Sequence, residues 1–317
     1  MVNKQKIDEA TGTKTVGHEW DGIEELDTPM PRWWLLTLYA CIIWALVYVV
    51  LYPAWPMLNS ATEGVLGWSS RGEYQKAVAA RETELEPIRQ ALVSTDINML
   101  ADNPELLNEA IQGGRSAFKV HCVQCHGAGA AGFKGYPNLN DDEWLWGGDM
   151  EAIEYTLING IRNPDHAETR FSQMPAFGRD GILQSSEIQD LVSYVRVLSN
   201  REKQSASATR GAALFETNCS VCHGSDAKGS RMQGAPNLTD AINLYGLDRA
   251  SLTDTITNSR YGVMPRWGHR LDAATIRMLT AYVHSLGGGE TAPKSEERSI
   301  DQAVTDIQAE TPVDEQS

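Results

Sequence analysis

Cysteine is scarce in this chain. There are five among 317 residues, and four of them fall in two five-residue stretches, so no disulfide framework remains to be built. Basic residues are also short, 27 Lys and Arg against 42 Asp and Glu, for a formal net charge of −15. That balance argues against a nucleic-acid surface and suits either a basic partner or solubility alone. Strand-like runs are missing from residues 113–287, which leaves helices as the expected elements there. Residues 1–31 contain no apolar core of the kind a secretory leader carries, and no A-x-A-like cleavage site follows the first apolar run. Long apolar runs are absent but for one.

That one is Trp33 to Tyr52, twenty residues without a charge. A helix of this length spans about 30 Å, the hydrocarbon thickness of a bilayer. Trp33 and Trp34 stand at one end, and Tyr48, Tyr52 and Trp55 at the other, as in an interfacial aromatic belt. Residues 32–56 therefore read as a retained transmembrane anchor. Lys4, Lys6, Lys14 and Arg32 precede the span, and only Arg71 falls in the twenty residues after it. The positive-inside rule then leaves residues 1–31 in the cytoplasm and the remainder outside. Cys41, inside the apolar run, is expected to be a small buried residue rather than a reactive thiol. Pro53 and Pro56 end the helix. Residues 57–112 read as a stalk or docking segment. Within them Glu73 to Leu92 predicts a charged surface helix, bent or split at Pro87. Pro104 to Ile111 predicts a shorter helix capped by Asn103, with proline at its first position.

The paired cysteines lie in Cys122-Val123-Gln124-Cys125-His126 and, ninety-seven residues later, Cys219-Ser220-Val221-Cys222-His223. C-x-x-C-H is the attachment sequence of a c-type haem. Each thiolate adds across a vinyl group, and the histidine becomes the proximal iron ligand, so two covalently bound haem c groups are expected. In bacteria this attachment takes place outside the cytoplasmic membrane, which agrees with the orientation from charge. The motifs sit in two copies of one unit. Gly114, Phe118, Pro137-Asn138-Leu139, Met174-Pro175 and Tyr194-Val195 are followed by Gly211, Phe215, Pro236-Asn237-Leu238, Met264-Pro265 and Tyr282-Val283. A repeat of this size means tandem domains. The fold class is thus all-α: one N-terminal transmembrane helix, then two tandem cytochrome c-like domains over 113–200 and 209–287, each around a haem that supplies much of its core. The linker Arg201 to Thr209 is short, which keeps the two haems near each other. Residues 288–317 form an acidic tail expected to be disordered.

A haem held by histidine has a second axial position, and what fills it decides between electron transfer and catalysis. Downstream of each motif stands one methionine in a Met-Pro loop, Met174 in Q-M-P-A-F-G and Met264 in V-M-P-R-W-G. A thioether is a soft ligand that raises the potential and closes the site. The axial ligands are therefore read as His126, Met174, His223 and Met264, with no catalytic residue. Met99, Met150, Met232 and Met278 lack this placement and are read as packing residues; His269 is a weaker competitor, and His121 and His166 are bystanders. Trp144, Trp146, Phe177 and Trp267 suit either haem wrapping or an ordinary core. Resemblance to cytochrome c domains implies that the carbonyls of Pro137 and Pro236 accept the Nδ1–H of His126 and His223. Arg162 and Arg260, ahead of the Met loops, are candidates for haem propionates, with a solvated side chain as the alternative.

The flanks of the span carry a more specific likeness. D-G-I-E-E-L-D-T-P-M-P-R-W-W (21–34), Y-P-A-W-P (52–56) and G-W-S-S-R-G-E-Y (67–74) resemble the dihaem P subunits (CcoP, FixP) of cbb3-type cytochrome c oxidases. With the haem motifs and Met loops, the resemblance covers roughly residues 17–288. It implies an electron-transfer subunit of a respiratory complex of the bacterial inner membrane. Electrons would enter from a donor cytochrome and pass to a monohaem cytochrome c subunit. From there they would reach the catalytic haem–copper subunit that reduces dioxygen to water. The membrane helix would pack on the catalytic subunit, helped by D-G-I-E-E and the Trp pair. Competing readings are the anchored cytochrome subunit of a periplasmic dehydrogenase, a freestanding carrier, and a dihaem peroxidase with an openable iron.

Overall fold

The computed structural model describes residues 5–291, and the chain divides into two compact units, Met1–Glu84 and Leu85–Ser317. The first unit opens with a β-hairpin, β1 (Thr15–Trp20) antiparallel to β2 (Ile23–Leu26). Its turn is Asp21-Gly22, both with positive φ, 50° and 83°, the combination that a tight hairpin turn needs. This small sheet is an addition to the helical fold class. Helix α1 (Arg32–Leu51) follows the hairpin and matches the expected span. It is long and apolar enough to cross a membrane, and none of its residues is buried within the chain. Cys41 is accordingly exposed, contrary to the expectation of burial. The helix is apolar all round, and Cys41 shares the exposure of its neighbours. After Pro53 and Pro56 the chain returns to the end of α1. Val65 N–H donates to Val50 O at 2.9 Å and Leu66 N–H to Leu51 O at 3.1 Å. These bonds satisfy carbonyls that a helix C-terminus leaves open. Gly64 (φ +73°) makes the return possible, because a Cβ there would collide with the Leu51 carbonyl.

Helix α2 (Ser70–Ser94) runs unbroken with Pro87 inside it, where a bend or split was expected; its last turns belong to the second unit. Ile88, Ala91 and Leu92 pack there with Ile97, Leu100, Leu106, Ala110, Met150 and Met278. Arg277 holds the end of α2. Its guanidinium donates to the carbonyls of Leu92 (2.5 Å), Val93 (3.0 Å) and Thr95, and to Glu154 Oε1 (3.0 Å). A cation is favourable at a helix C-terminus.

The remaining helices are α3 (Pro104–His121), α4 (Val123–His126), α5 (Met150–Asn159), α6 (Ser185–Leu198), α7 (Ala206–Asn218), α8 (Ser220–His223), α9 (Arg249–Asn258) and α10 (Ala273–His284). All of these but α4 and α8 have starts written in the sequence as side-chain caps. Asn103, Asp149, Ser205, Asp248 and Asp272 each accept a backbone N–H two or three positions into the helix, and Gln184 with Glu187 closes a capping box on α6. The short helix expected at Pro104–Ile111 is in fact the first half of α3. It continues through Gly113-Gly114 because a Cβ on Gly114 would strike the Met278 carbonyl. The glycine pair marks a close helix crossing, not a break.

That crossing gives the unit its topology. Helix α3 packs along α10, the last helix of the second repeat, and α6 packs along α7, joining the last helix of the first repeat to the first helix of the second. Phe118 on α3 lies against Tyr282 on α10 with ring centroids 5.3 Å apart, and Phe215 on α7 against Tyr194 on α6 at 5.4 Å. Gly211 does for α7 and Asp190 what Gly114 does for α3 and Met278. Each helical half is thus completed by the other repeat. Two cytochrome c-type units are present, and their sequence segments interleave.

The segment from residue 288 was expected to be a free tail. Its described start is held: Trp144 Nε1–H donates to Gly288 O at 2.6 Å and Gly148 N–H to Glu290 Oε2 at 2.8 Å, while Glu290 also pairs with Arg231. The expectation for residues 292–317 lies outside the described residues.

Candidate haem-binding sites

Each C-x-x-C-H motif forms the bend after a helix that it terminates. Cys122 N–H closes α3 on Phe118 O at 2.9 Å, and Cys219 N–H closes α7 on Phe215 O at 2.8 Å. One turn, α4 or α8, then carries Cys125 and His126, or Cys222 and His223. No cysteine is in a disulfide. Burial pushes the thiols of Cys122 and Cys219 up to about 11, helped by Cys125 and Cys222 respectively, which is the opposite of a redox-exchange thiolate. Burial likewise lowers the pKa of His126 and of His223, against the opposing pull of a backbone hydrogen bond. That bond joins His126 Nδ1 to Pro137 O at 3.1 Å and His223 Nδ1 to Pro236 O at 3.0 Å. With Nδ1–H donating, each imidazole is neutral and Nε2 keeps its lone pair for a metal. The loops match in detail: Gly132 N–H bonds His126 O at 2.9 Å and Gly229 N–H bonds His223 O at 2.8 Å, while Ala130 and Ala227 both adopt positive φ.

The Met loops exchange partners. Met264, Trp267 and Tyr282 pack in the cluster that contains Phe118, Cys122, Ile153 and Leu157. Met174 and Phe177 pack in the cluster with Phe215, Cys219, Leu238 and Leu252. The backbone agrees. Ile161 and Met264 exchange N–H···O bonds of 2.9 and 3.0 Å, Trp267 N–H donates to Leu157 O at 2.8 Å, and Ser259 Oγ bonds Met174 O. Each methionine thus sits with the motif of the other repeat, not with the one it follows in sequence. Of the remaining methionines, Met150 and Met278 are core residues and Met99 and Met232 are exposed. His269 is exposed and accepts from Arg270 at 3.3 Å. His166 bonds Asn159 Oδ1 and Arg266 Nη1, both at 2.8 Å, and His121 lies beside Trp267.

The arginines reveal a residue that the sequence pattern missed. Arg260 donates to Thr255 Oγ1 and to Ser251 O on α9, and lies 4.7 Å from the Tyr245 ring. Arg170 donates to Thr156 Oγ1 and to Ala152 O, the matching positions on α5, and lies 5.5 Å from Trp146 and 4.8 Å from Tyr155. Arg170 is therefore the spatial counterpart of Arg260. Arg162 is engaged elsewhere, with Nε on Gly262 O at 2.7 Å and Nη1 on Ser172 O at 2.8 Å. No sequence signal pairs Arg170 with Arg260, since they sit at different points of their repeats.

A c-type haem fits these residues. Two thiols, a neutral imidazole oriented by a carbonyl, and a half-buried thioether from the facing loop make up its donor set on each side. Trp146 Nε1 is a buried donor without a partner among the described residues. With Arg170 against its ring, that donor suits a propionate oxygen.

The fold and these donor sets define cytochrome c-type domains behind an apolar N-terminal helix. Known proteins specify the kind further. Residues 12–59 match the N-terminal domain of cytochrome oxidase-cbb3, FixP; residues 111–199 match cytochrome c; and residues 206–283 match cytochrome c oxidase, cbb3-type, subunit III. The chain is 54% identical over 276 residues to the cbb3-type cytochrome c oxidase subunit CcoP of Cereibacter sphaeroides, covering 87% of this chain and 95% of that one. It is 49% identical over 295 residues to the subunit FixP of a Bradyrhizobium species and 46% over 291 residues to FixP of Rhizobium meliloti, in each case covering 92% of this chain and all of the relative. The chain belongs to the CcoP/FixP family of cbb3-type cytochrome c oxidase subunits.

Proposed function

We propose that the chain carries two haem c groups and is the electron-transfer subunit of a cbb3-type oxidase, with no catalytic centre of its own. One haem would be held by Cys122, Cys125 and His126 with Met264 as second axial ligand. The other would be held by Cys219, Cys222 and His223 with Met174. A bound haem c supplies one-electron chemistry, cycling between its ferric and ferrous states. Around it the chain's residues do the tuning. Two thioether links would fix the ring, Pro137 and Pro236 would orient the imidazoles through their bonds to Nδ1, and a methionine sulfur would occupy the position a substrate needs. The observation that carries this reading is the packing of each Met loop in the hydrophobic cluster of a haem motif, which favours a closed iron over one open to peroxide.

Electrons would pass from a donor cytochrome through this subunit to the monohaem cytochrome c subunit and on to the catalytic haem–copper subunit. The net charge of −15 suits a basic docking surface on the donor. Helix α1 would anchor the chain in the bacterial inner membrane with the N-terminus cytoplasmic and the haem domains periplasmic, as Lys4, Lys6, Lys14 and Arg32 favour. Gentle detergent extraction through a tag on this chain tests the role: co-isolation of a haem b and copper subunit is expected, and a dehydrogenase in its place would overturn it. Met264→His should lower the potential of the haem at Cys122–His126 and leave the other haem unchanged.

A further inference from the structure

One difference between the two repeats falls just after α5 and α9. Arg162 in the first is matched by Tyr261 at the same offset in the second, and the guanidinium carbon lies 5.9 Å from the Tyr261 ring centre. The first repeat thus places a guanidinium where the second has a phenol ring. Arg162 Nε donates to Gly262 O at 2.7 Å and its Nη1 to Ser172 O at 2.8 Å. Gly262 is two residues ahead of Met264, and Ser172 is two residues ahead of Met174. The backbone beside Arg162 is already fixed, because Ile161 exchanges both its hydrogen bonds with Met264. The side chain reaches the second loop from that fixed point.

We propose that Arg162 is a positioning residue shared by both Met loops, one guanidinium that clamps the approach to Met264 and to Met174 together and so holds axial ligation at both haems. The proposal rests on the ligand assignment above. Arginine suits the task because its planar fork presents donors at fixed angles to two carbonyls, which a lysine ammonium does not. The position is also conformationally demanding. Arg162 has φ +53°, a region that favours Gly and Asn, so its surroundings hold it there against its own preference. Burial opposes its charge, and the nearby Tyr245 and Tyr261 act in the other direction. A residue kept at such a backbone angle with a desolvated cation is placed for what its side chain touches.

The test uses the full-length, haem-loaded chain in detergent and the red charge-transfer band that methionine-ligated ferric haem c displays. Met174→His and Met264→His each calibrate the loss of one haem's contribution, about half the wild-type band. Arg162→Asn suits the left-handed backbone and removes only the fork. It should bring the band below half of wild type and let carbon monoxide bind both reduced haems, with covalent haem content unchanged. Arg162→Lys retains the charge and should recover one loop at most. A band above half in Arg162→Asn, or a full band in Arg162→Lys, would overturn the shared clamp while leaving the ligand assignment standing. A wild-type protein without the band would overturn the ligand assignment and the clamp with it.

Discussion

The interleaving of the repeats can be measured as a pairwise energy. Phe118 is 1% exposed and its ring lies 5.3 Å from Tyr282, tilted by 59°. Tyr194, its partner if each repeat folded on itself, instead meets Phe215 at 5.4 Å and the same tilt. Tilted aromatic pairs contribute about 0.5–1.5 kcal/mol beyond the area they bury. A double-mutant cycle isolates that part, because the burial lost by each single substitution cancels. Phe118→Leu and Tyr282→Leu should each destabilise the haem-loaded chain by about 1–2 kcal/mol. Combined, they should fall short of additivity by about 1 kcal/mol. The Phe118→Leu and Tyr194→Leu pair should be additive within about 0.5 kcal/mol. Guanidinium unfolding followed through the haem Soret band, with midpoints converted by a common slope, measures all four corners of each cycle. Coupling between Phe118 and Tyr194, with none to Tyr282, would refute the crossed topology.

Other expectations follow from single contacts. Gly114→Ala and Gly211→Ala each drive a Cβ into a carbonyl of the facing helix, Met278 and Asp190 respectively. Each should cost at least about 1–3 kcal/mol of stability by the same denaturation assay. Glu143 is raised from the ordinary 4.5 to about 7, by burial first and then by the hydrogen bond and charge of Asp240. A carboxyl with a raised folded pKa stabilises most below its unfolded value, so its contribution should be lost as pH climbs from about 4.5 to about 7. Glu143→Gln should remove that loss, a difference of about 1 kcal/mol once solvent screening is allowed for, seen by comparing midpoints at about pH 5 and about pH 8. Cleavage at the exposed Lys203, within an engineered protease site, should leave the two fragments associated through α3–α10 and α6–α7, as size exclusion would report. Separation without denaturant would contradict the interleaving.

Much of this was legible in the residues because it depends on local chemistry. Caps such as Asn103, the span at Trp33–Tyr52, both C-x-x-C-H motifs and the two Met-Pro loops each carry their signal within a few positions. The turn at Asp21-Gly22 carries one as well, since both residues tolerate positive φ, and it produced a hairpin in a segment otherwise marked only by its charges. Which helix meets which was not legible, for a physical reason. Both repeats present the same glycine and aromatic at the crossing, so α3 finds an equally good complement in α6 or α10. Pattern alone weighs the two pairings the same, and the bonds between the loops after α5 and α9 accompany the crossed one. Arg170 carries no local signal, because its role comes from matching Arg260 in space across a difference in loop length. The apolar run around Cys41 suggests burial, but a helix apolar on every face buries nothing against itself.

The crossing changes the account of why two haems in this chain would keep a constant separation. A short linker bounds a distance without fixing it, and the segment from Arg201 joins α6 to α7 within one half, so it is not what ties the halves together. They are tied by the strands of chain that leave α5 for the Met174 loop and α9 for the Met264 loop, and by the bonds between those strands: Ile161 with Met264, Ser259 with Met174, and Arg162 with both approaches. Each pocket borrows its methionine and closing helix from the other repeat, so neither pocket can open fully without disturbing its neighbour. An electron relay depends on donor and acceptor staying at one distance and in one ligation state through many turnovers. Two pockets that share their Met loops would meet both demands through the same contacts, which independent domains on a linker would have to meet separately.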